Sequence, residues 1–142
     1  MGKLTAMDMI SRLTLTLLPD ILAVCRLDAD VAIPSWAFTG PFTSITRTPD
    51  EISIVCLEEK VPEGVRCERG WRYLKVVGPL PLSLTGILAS LTRVLALAGV
   101  SVFAISTFDT DYLLIRETDV ERAVDLLSRE GHRVLHGVDG KE

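Results

Sequence analysis

The chain has 142 residues, 48% of them hydrophobic and 24% charged, with a formal net charge of −4. That length holds one domain, or two very small ones sharing a core, and the apolar content is ample for a packed interior. The acidic balance, with a pI near 5.2, excludes a phosphate-backbone surface, which needs clustered Lys and Arg, and no run of like charges marks a tail or a membrane-surface patch.

The N-terminal apolar stretch resembles a signal sequence only at first glance. Asp8 and Arg12 interrupt it, and Pro19-Asp20 ends it before a suitable cleavage site. No run reaches the roughly 18 apolar residues of a membrane span, so a cytoplasmic protein is expected. Arg12 to Leu17 and Ile21 to Arg26 read as two strands, and Pro34-Ser-Trp-Ala37 as a short turn. Ile45 to Val55 reads as a hairpin, and nothing between Glu58 and Arg66 has the pattern of a full helix.

The second half is more regular. Trp71 to Val77 reads as a strand, broken by Gly78-Pro79-Leu80-Pro81. From Ser83 onward, Leu84, Ile87, Leu88, Leu91, Val94, Leu95 and Ala98 recur at helical spacing, and Gly99 supplies the stop. Ser101 to Ser106 and Tyr112 to Arg116 are strands. Thr118-Asp-Val-Glu121 has the form of a capping box for a helix that ends at Gly131, and His132 to Leu135 is a last strand. The order βαββαβ is the split, ferredoxin-like pattern of the α+β class, with two helices on one face of an antiparallel sheet.

A partial copy stands in the first half. Ile45-Thr-Arg-Thr-Pro-Asp-Glu-Ile-Ser-Ile-Val55 aligns residue for residue with Ile105-Ser-Thr-Phe-Asp-Thr-Asp-Tyr-Leu-Leu-Ile115, at an offset of 60. The same offset sets Arg12–Leu17 against Arg72–Val77. Two fused ferredoxin-like half-domains are therefore expected, a reduced one over 10–68 and a complete one over 69–138. Each is small enough to need the other's apolar surface.

Val77-Gly-Pro-Leu-Pro-Leu-Ser-Leu-Thr-Gly-Ile-Leu-Ala-Ser-Leu91 and Ala104-Ile-Ser-Thr-Phe-Asp-Thr-Asp-Tyr-Leu-Leu-Ile115 resemble the small tandem ACT-domain proteins of bacteria. The same motif family includes the animal cytosolic arginine sensor, and Gly40 to Val55 resembles the matching bacterial segment. The resemblance covers about Leu13 to Leu135. It implies βαββαβ modules that bind amino acids or related small ligands where two such domains meet. Carried over by motif, the ligand-binding positions are Leu84, Thr85 and Gly86, then Thr107, Phe108 and Asp111. The facing half-domain would contribute Arg47 and Thr48. Arg47 departs from the pattern, and a cation there would disfavour a cationic ligand.

The residues support such a site on their own chemistry. A helix start leaves amides unpaired and its dipole favours an anion, while Gly86 allows close approach to the backbone. Asp111 or Asp109 could accept hydrogen bonds from an ammonium group, and Phe108 could cover an aliphatic portion. Each element also has a structural reading: Ser83 as a cap, Gly86 as a packing glycine, and Asp109-Thr110-Asp111 as self-bonded turn residues.

Catalysis finds no motif: there is no Cys/His pair at recognisable spacing, no Gly-flanked Ser and no phosphate loop. No cofactor is expected. Cys25, Cys56 and Cys67 lack metal-ligand spacing and read as reduced, apolar thiols, and His132 with His136 stands without further ligands, so no metal is expected either. Two functions remain. One is a non-catalytic module binding an amino acid; the other is an ACT-like dimerisation or docking protein with no small ligand. A homodimer and a protein partner are compatible with both; nucleic acid and membrane are not.

Overall fold

The structure is a computed structural model, and it describes residues 12–80 and 85–137. Seven strands, two α-helices and three short 3-10 turns follow one another in these residues. The strands are β1 (Thr14–Leu27), β2 (Ser44–Arg47), β3 (Ile52–Leu57), β4 (Cys67–Val76), β5 (Val102–Ser106), β6 (Asp111–Arg116) and β7 (Arg133–His136). The helices are α1 (Ile87–Leu97) and α2 (Val120–Arg129).

The described residues divide into two compact units, one formed by residues 12–19 with those from Arg72 onward, the other by Asp20–Trp71. In the first unit the strand order is β7-β1-β4-β6-β5. Thr14–Leu17 of β1 pairs in parallel with Arg133–His136 of β7. On its other side β1 meets β4, where the Val77 N–H donates to the Thr14 carbonyl at 2.8 Å. The βαββαβ run is thus present, with the start of β1 inserted between its first and last strands.

Leu15 and Leu17 of β1, Leu74 and Val76 of β4, and Leu113 and Ile115 of β6 point to one face. Against them pack Ile87, Leu91 and Leu95 of α1, with Ala123 and Leu127 of α2. The four-residue steps within each helix put these side chains on one stripe, and the alternation in the strands does the same for the sheet.

The second unit holds strands in the order β2-β3-β1-β4 and no α-helix among its described residues. Leu22–Leu27 of β1 pairs antiparallel with β3, and β2 pairs antiparallel with β3. The Arg26 N–H donates to the Arg66 carbonyl at 2.9 Å, so β4 runs antiparallel to β1 here as well. Ala23, Cys25, Ile52, Ile54 and Cys56 make its core with Ala37 from the turn Ser35–Phe38. The α+β, ferredoxin-like expectation holds, with the first half reduced to a small sheet.

Three local expectations are corrected. The two strands expected on either side of Pro19-Asp20 are one strand of 14 residues. The helix expected from Ser83 starts at Ile87, after Gly86 at φ 87; Ser83 itself lies outside the described residues. Thr118 does not cap α2: Glu117–Asp119 forms a 3-10 turn, and Asp119 precedes the helix without a side-chain cap bond.

Candidate functional site

One pocket of about 290 Å³ lies in the first unit, between the start of α1 and the β5–β6 hairpin. Gly86 takes a left-handed conformation that a side chain would strain, and no side chain caps the helix from that position. The first helical backbone bond runs from the Ser90 N–H to the Gly86 carbonyl at 2.9 Å. The N–H groups of Ile87, Leu88 and Ala89, which line the pocket, therefore have no acceptor among the described residues. Those amides sit at the positive end of the helix dipole.

The opposite wall is the hairpin loop. Ser106 pairs with Asp111 across the last rung of the β5–β6 ladder, leaving Thr107–Thr110 as the connection. The Thr107 N–H donates to the Thr110 carbonyl at 2.8 Å, and the Thr110 N–H returns a bond to Thr107 Oγ1 at 3.2 Å. These bonds make the loop rigid from within. Ser106 Oγ donates to Asp111 Oδ1 at 2.6 Å, which fixes the carboxylate at the pocket wall. Asp109 stands beside it, and Phe108 is 78% exposed at the rim.

Two contacts moor this loop to the sheet. Thr110, buried, donates from Oγ1 to the Val76 carbonyl. The Leu80 N–H donates to the Asp109 carbonyl at 2.7 Å. Gly78 lies so close that a Cβ there would be 3.0 Å from the Asp109 carbonyl oxygen. The pocket lining carries two carboxylates and, among the described residues, no cationic side chain.

Of the residues expected from the sequence, Gly86, Thr107, Phe108 and Asp111 come together on this pocket. Thr85 adjoins it in the chain and is exposed; Leu84 lies outside the described residues. Arg47 and Thr48 belong to the other unit. There Arg47 Nη2 donates to the Val31 carbonyl at 3.2 Å, and Thr48 Oγ1 accepts from the Glu51 N–H at 3.2 Å. The pocket also includes Leu80, Ser106 and Thr110, which had no assigned role. Ser106 was legible as the hydroxyl closing a strand; the mooring by Thr110 left no sequence signal.

The internal alignment shifts by one residue in three dimensions. Arg47 faces Ile52 at the last rung of the β2–β3 ladder, as Ser106 faces Asp111 in the other hairpin. Thr48 therefore corresponds to Thr107, and the bonds repeat: the Thr48 N–H donates to the Glu51 carbonyl at 2.9 Å. The offset in this hairpin is 59, from Thr107 minus Thr48, rather than 60. Ile52, fully buried, occupies the place of Asp111, so the first hairpin lacks that acid.

Residues 66–129 match the ACT domain family model, and residues 20–64 match a separate N-terminal domain model. Protein Atu0741 of Agrobacterium tumefaciens has a similar structure, with TM-score 0.85 and 44% identity, covering 89% of this chain and 95% of that one. Residues 66–129 of the chain are thus an ACT domain. Rat cytosolic arginine sensor for mTORC1 subunit 1 is 31% identical over 136 residues, covering 81% of this chain and 41% of the sensor. The chain thus spans about two fifths of that relative's length. The aspartate kinase of Clostridium acetobutylicum shares the fold at TM-score 0.60 and 12% identity, over 79% of this chain and 33% of the kinase.

Proposed function

We propose that the pocket binds a free amino acid and that the chain is a non-catalytic sensor or regulatory module. The observation that carries this reading is the facing of helix-start amides, which no described residue caps, and a Ser106-oriented carboxylate in one pocket of amino-acid size. The amides of Ile87, Leu88 and Ala89 would take the ligand carboxylate, with the helix dipole behind them. Asp111, with Thr107 Oγ1 beside it, would take the ammonium group, and Phe108 would fold over the aliphatic part.

The charge balance narrows the class. One carboxylate suffices for an α-ammonium, and the lining adds a second, Asp109, with no basic side chain among the described residues to offset it. An amino acid with a cationic side chain is the best match, and a relative is named as an arginine sensor. The objection from Arg47 weakens, because Arg47 corresponds to Ser106 and its guanidinium is engaged by the Val31 carbonyl. A contact from Arg47 or Thr48 to the same ligand is a separate proposal, tested by Arg47→Ala in the same assay.

A thermal-shift scan of the purified chain against the amino acids tests the reading. A ligand at about 100 times its dissociation constant adds about 2.7 kcal/mol of stability, a shift of several degrees. A flat scan with a folded protein would favour the docking alternative.

A further inference from the structure

The three cysteines, scattered in the sequence, converge on the core of the Asp20–Trp71 unit. Because Arg26 bonds to Arg66 across antiparallel strands, one step along each strand sets Cys25 of β1 opposite Cys67 of β4. Cys67 and Cys56 both lie close enough to Cys25 to act on its thiol. Cys56 faces Ala23 in the β1–β3 ladder and Cys25 faces Ile54, so Cys25 and Cys56 are diagonal neighbours.

That difference decides which pair can bond. Residues directly opposite in an antiparallel pair have Cα atoms about 4.5–5.5 Å apart, within the span of a disulfide. Diagonal neighbours stand about 7–8 Å apart, beyond it without backbone movement. Exposure decides the order of events. Cys67 is half-buried at the edge of the cluster, whereas Cys25 and Cys56 are sealed inside.

We propose that Cys67 is an oxidation site and Cys25 its resolving thiol, so that peroxide closes a reversible Cys25–Cys67 disulfide between β1 and β4. Hydrogen peroxide oxidises the Cys67 thiol to a sulfenic acid and is itself reduced, releasing one water. Cys25 Sγ then attacks the Cys67 sulfur. The S–O bond breaks, the S–S bond forms, and the hydroxyl leaves as a second water with the Cys25 proton. A dithiol reductant reverses the change by exchange. Burial comes first in pushing the Cys25 thiol up to about 12, with Cys56 and Cys67 adding to it, so the resolving step is slow at neutral pH and accelerates in alkali.

The full chain, exposed to hydrogen peroxide, then alkylated under denaturing conditions and mapped by mass spectrometry, tests this. The expected result is a Cys25–Cys67 cross-linked peptide, loss of two of the three free thiols, and their return with dithiothreitol. Cys56→Ser should retain the cross-link and Cys67→Ser should abolish it. The wild-type map needs no variant to fold. Cys67 found as sulfinic acid beside a free Cys25, a Cys25–Cys56 link, or a Cys67 dimer between chains would each overturn the assignment.

Discussion

Ser106 Oγ donates to Asp111 Oδ1 at 2.6 Å, across the rung that closes the β5–β6 hairpin. The bond ties the one carboxylate that is both strand-borne and pocket-facing to the wall where it stands. A carboxylate held in this way binds a cation without first losing side-chain freedom, which is how a preorganised site gains affinity.

Asp111→Asn keeps the shape and the Ser106 partner but removes the charge. The fold should keep its stability within about 1 kcal/mol, since a single exposed hydrogen bond contributes no more. The ligand-induced thermal shift should vanish, because a hydrogen bond to a charged group is worth about 1.5–3 kcal/mol, or one to two decades in affinity. Titration calorimetry on the two proteins checks this.

Thr110→Val removes the buried bond to the Val76 carbonyl and leaves that acceptor unsatisfied, at a cost of about 1–3 kcal/mol. Gly78→Ala forces a methyl group to 3.0 Å from the Asp109 carbonyl oxygen, a backbone atom that can yield only if the hairpin loop moves. Both variants should lose ligand affinity without touching a ligand-facing side chain. Urea unfolding beside calorimetry separates the stability loss from the binding loss.

Much of this was legible in the sequence, and the misses have physical causes. The apolar period named Ile87, Leu91 and Leu95 as one buried stripe, and Gly99 and Gly131 ended their helices at φ 76 and 100. Pro19 looked like a strand breaker, yet β1 runs through it to Leu27, because a proline forgoes only one donor. Thr118 and Glu121 have the spacing of a capping box, but residues 117–119 form a 3-10 turn instead, in which the Val120 N–H donates to the Glu117 carbonyl. The pocket's Gly86, Thr107, Phe108 and Asp111 were readable as motif residues. The one-residue shift between the hairpins was not: the offset of 60 follows the match of Ile45 to Ile105, whereas the last rung of each ladder sets Thr48 against Thr107.

Acid should weaken the first unit through His132. It is buried, its Nδ1 accepts the Leu13 N–H at 3.0 Å, and burial lowers its pKa below the usual 6.5, with Glu130 opposing. The folded state resists the proton that the unfolded state accepts. Stability should therefore be full above pH 6.5 and decline as pH falls below it. In His132→Asn that decline should flatten, at the cost of a lower baseline, as read by denaturation from pH 8 to about 5.

Alkali should weaken the second unit through Cys25. Its thiol stays protonated to about 12, against 9.0 for an unburied one, chiefly because burial disfavours the thiolate. The unfolded chain releases that proton first, so stability should fall as pH rises from 9 toward 12. Cys25→Ala should reduce that slope but not abolish it, since burial also pushes the Cys56 thiol up, and the comparison of the two unfolding curves in this range checks it.

The central claim is that the pocket between α1 and the β5–β6 loop is an amino-acid site with a preference for a cationic side chain. Titration calorimetry of the full chain with arginine, lysine, leucine and glutamate tests it most directly. Saturable binding of arginine or lysine, weaker binding of leucine, none of glutamate, and loss of all of it in Asp111→Asn are predicted. Binding of none of the four by a folded protein, or binding that survives Asp111→Asn unchanged, would contradict it.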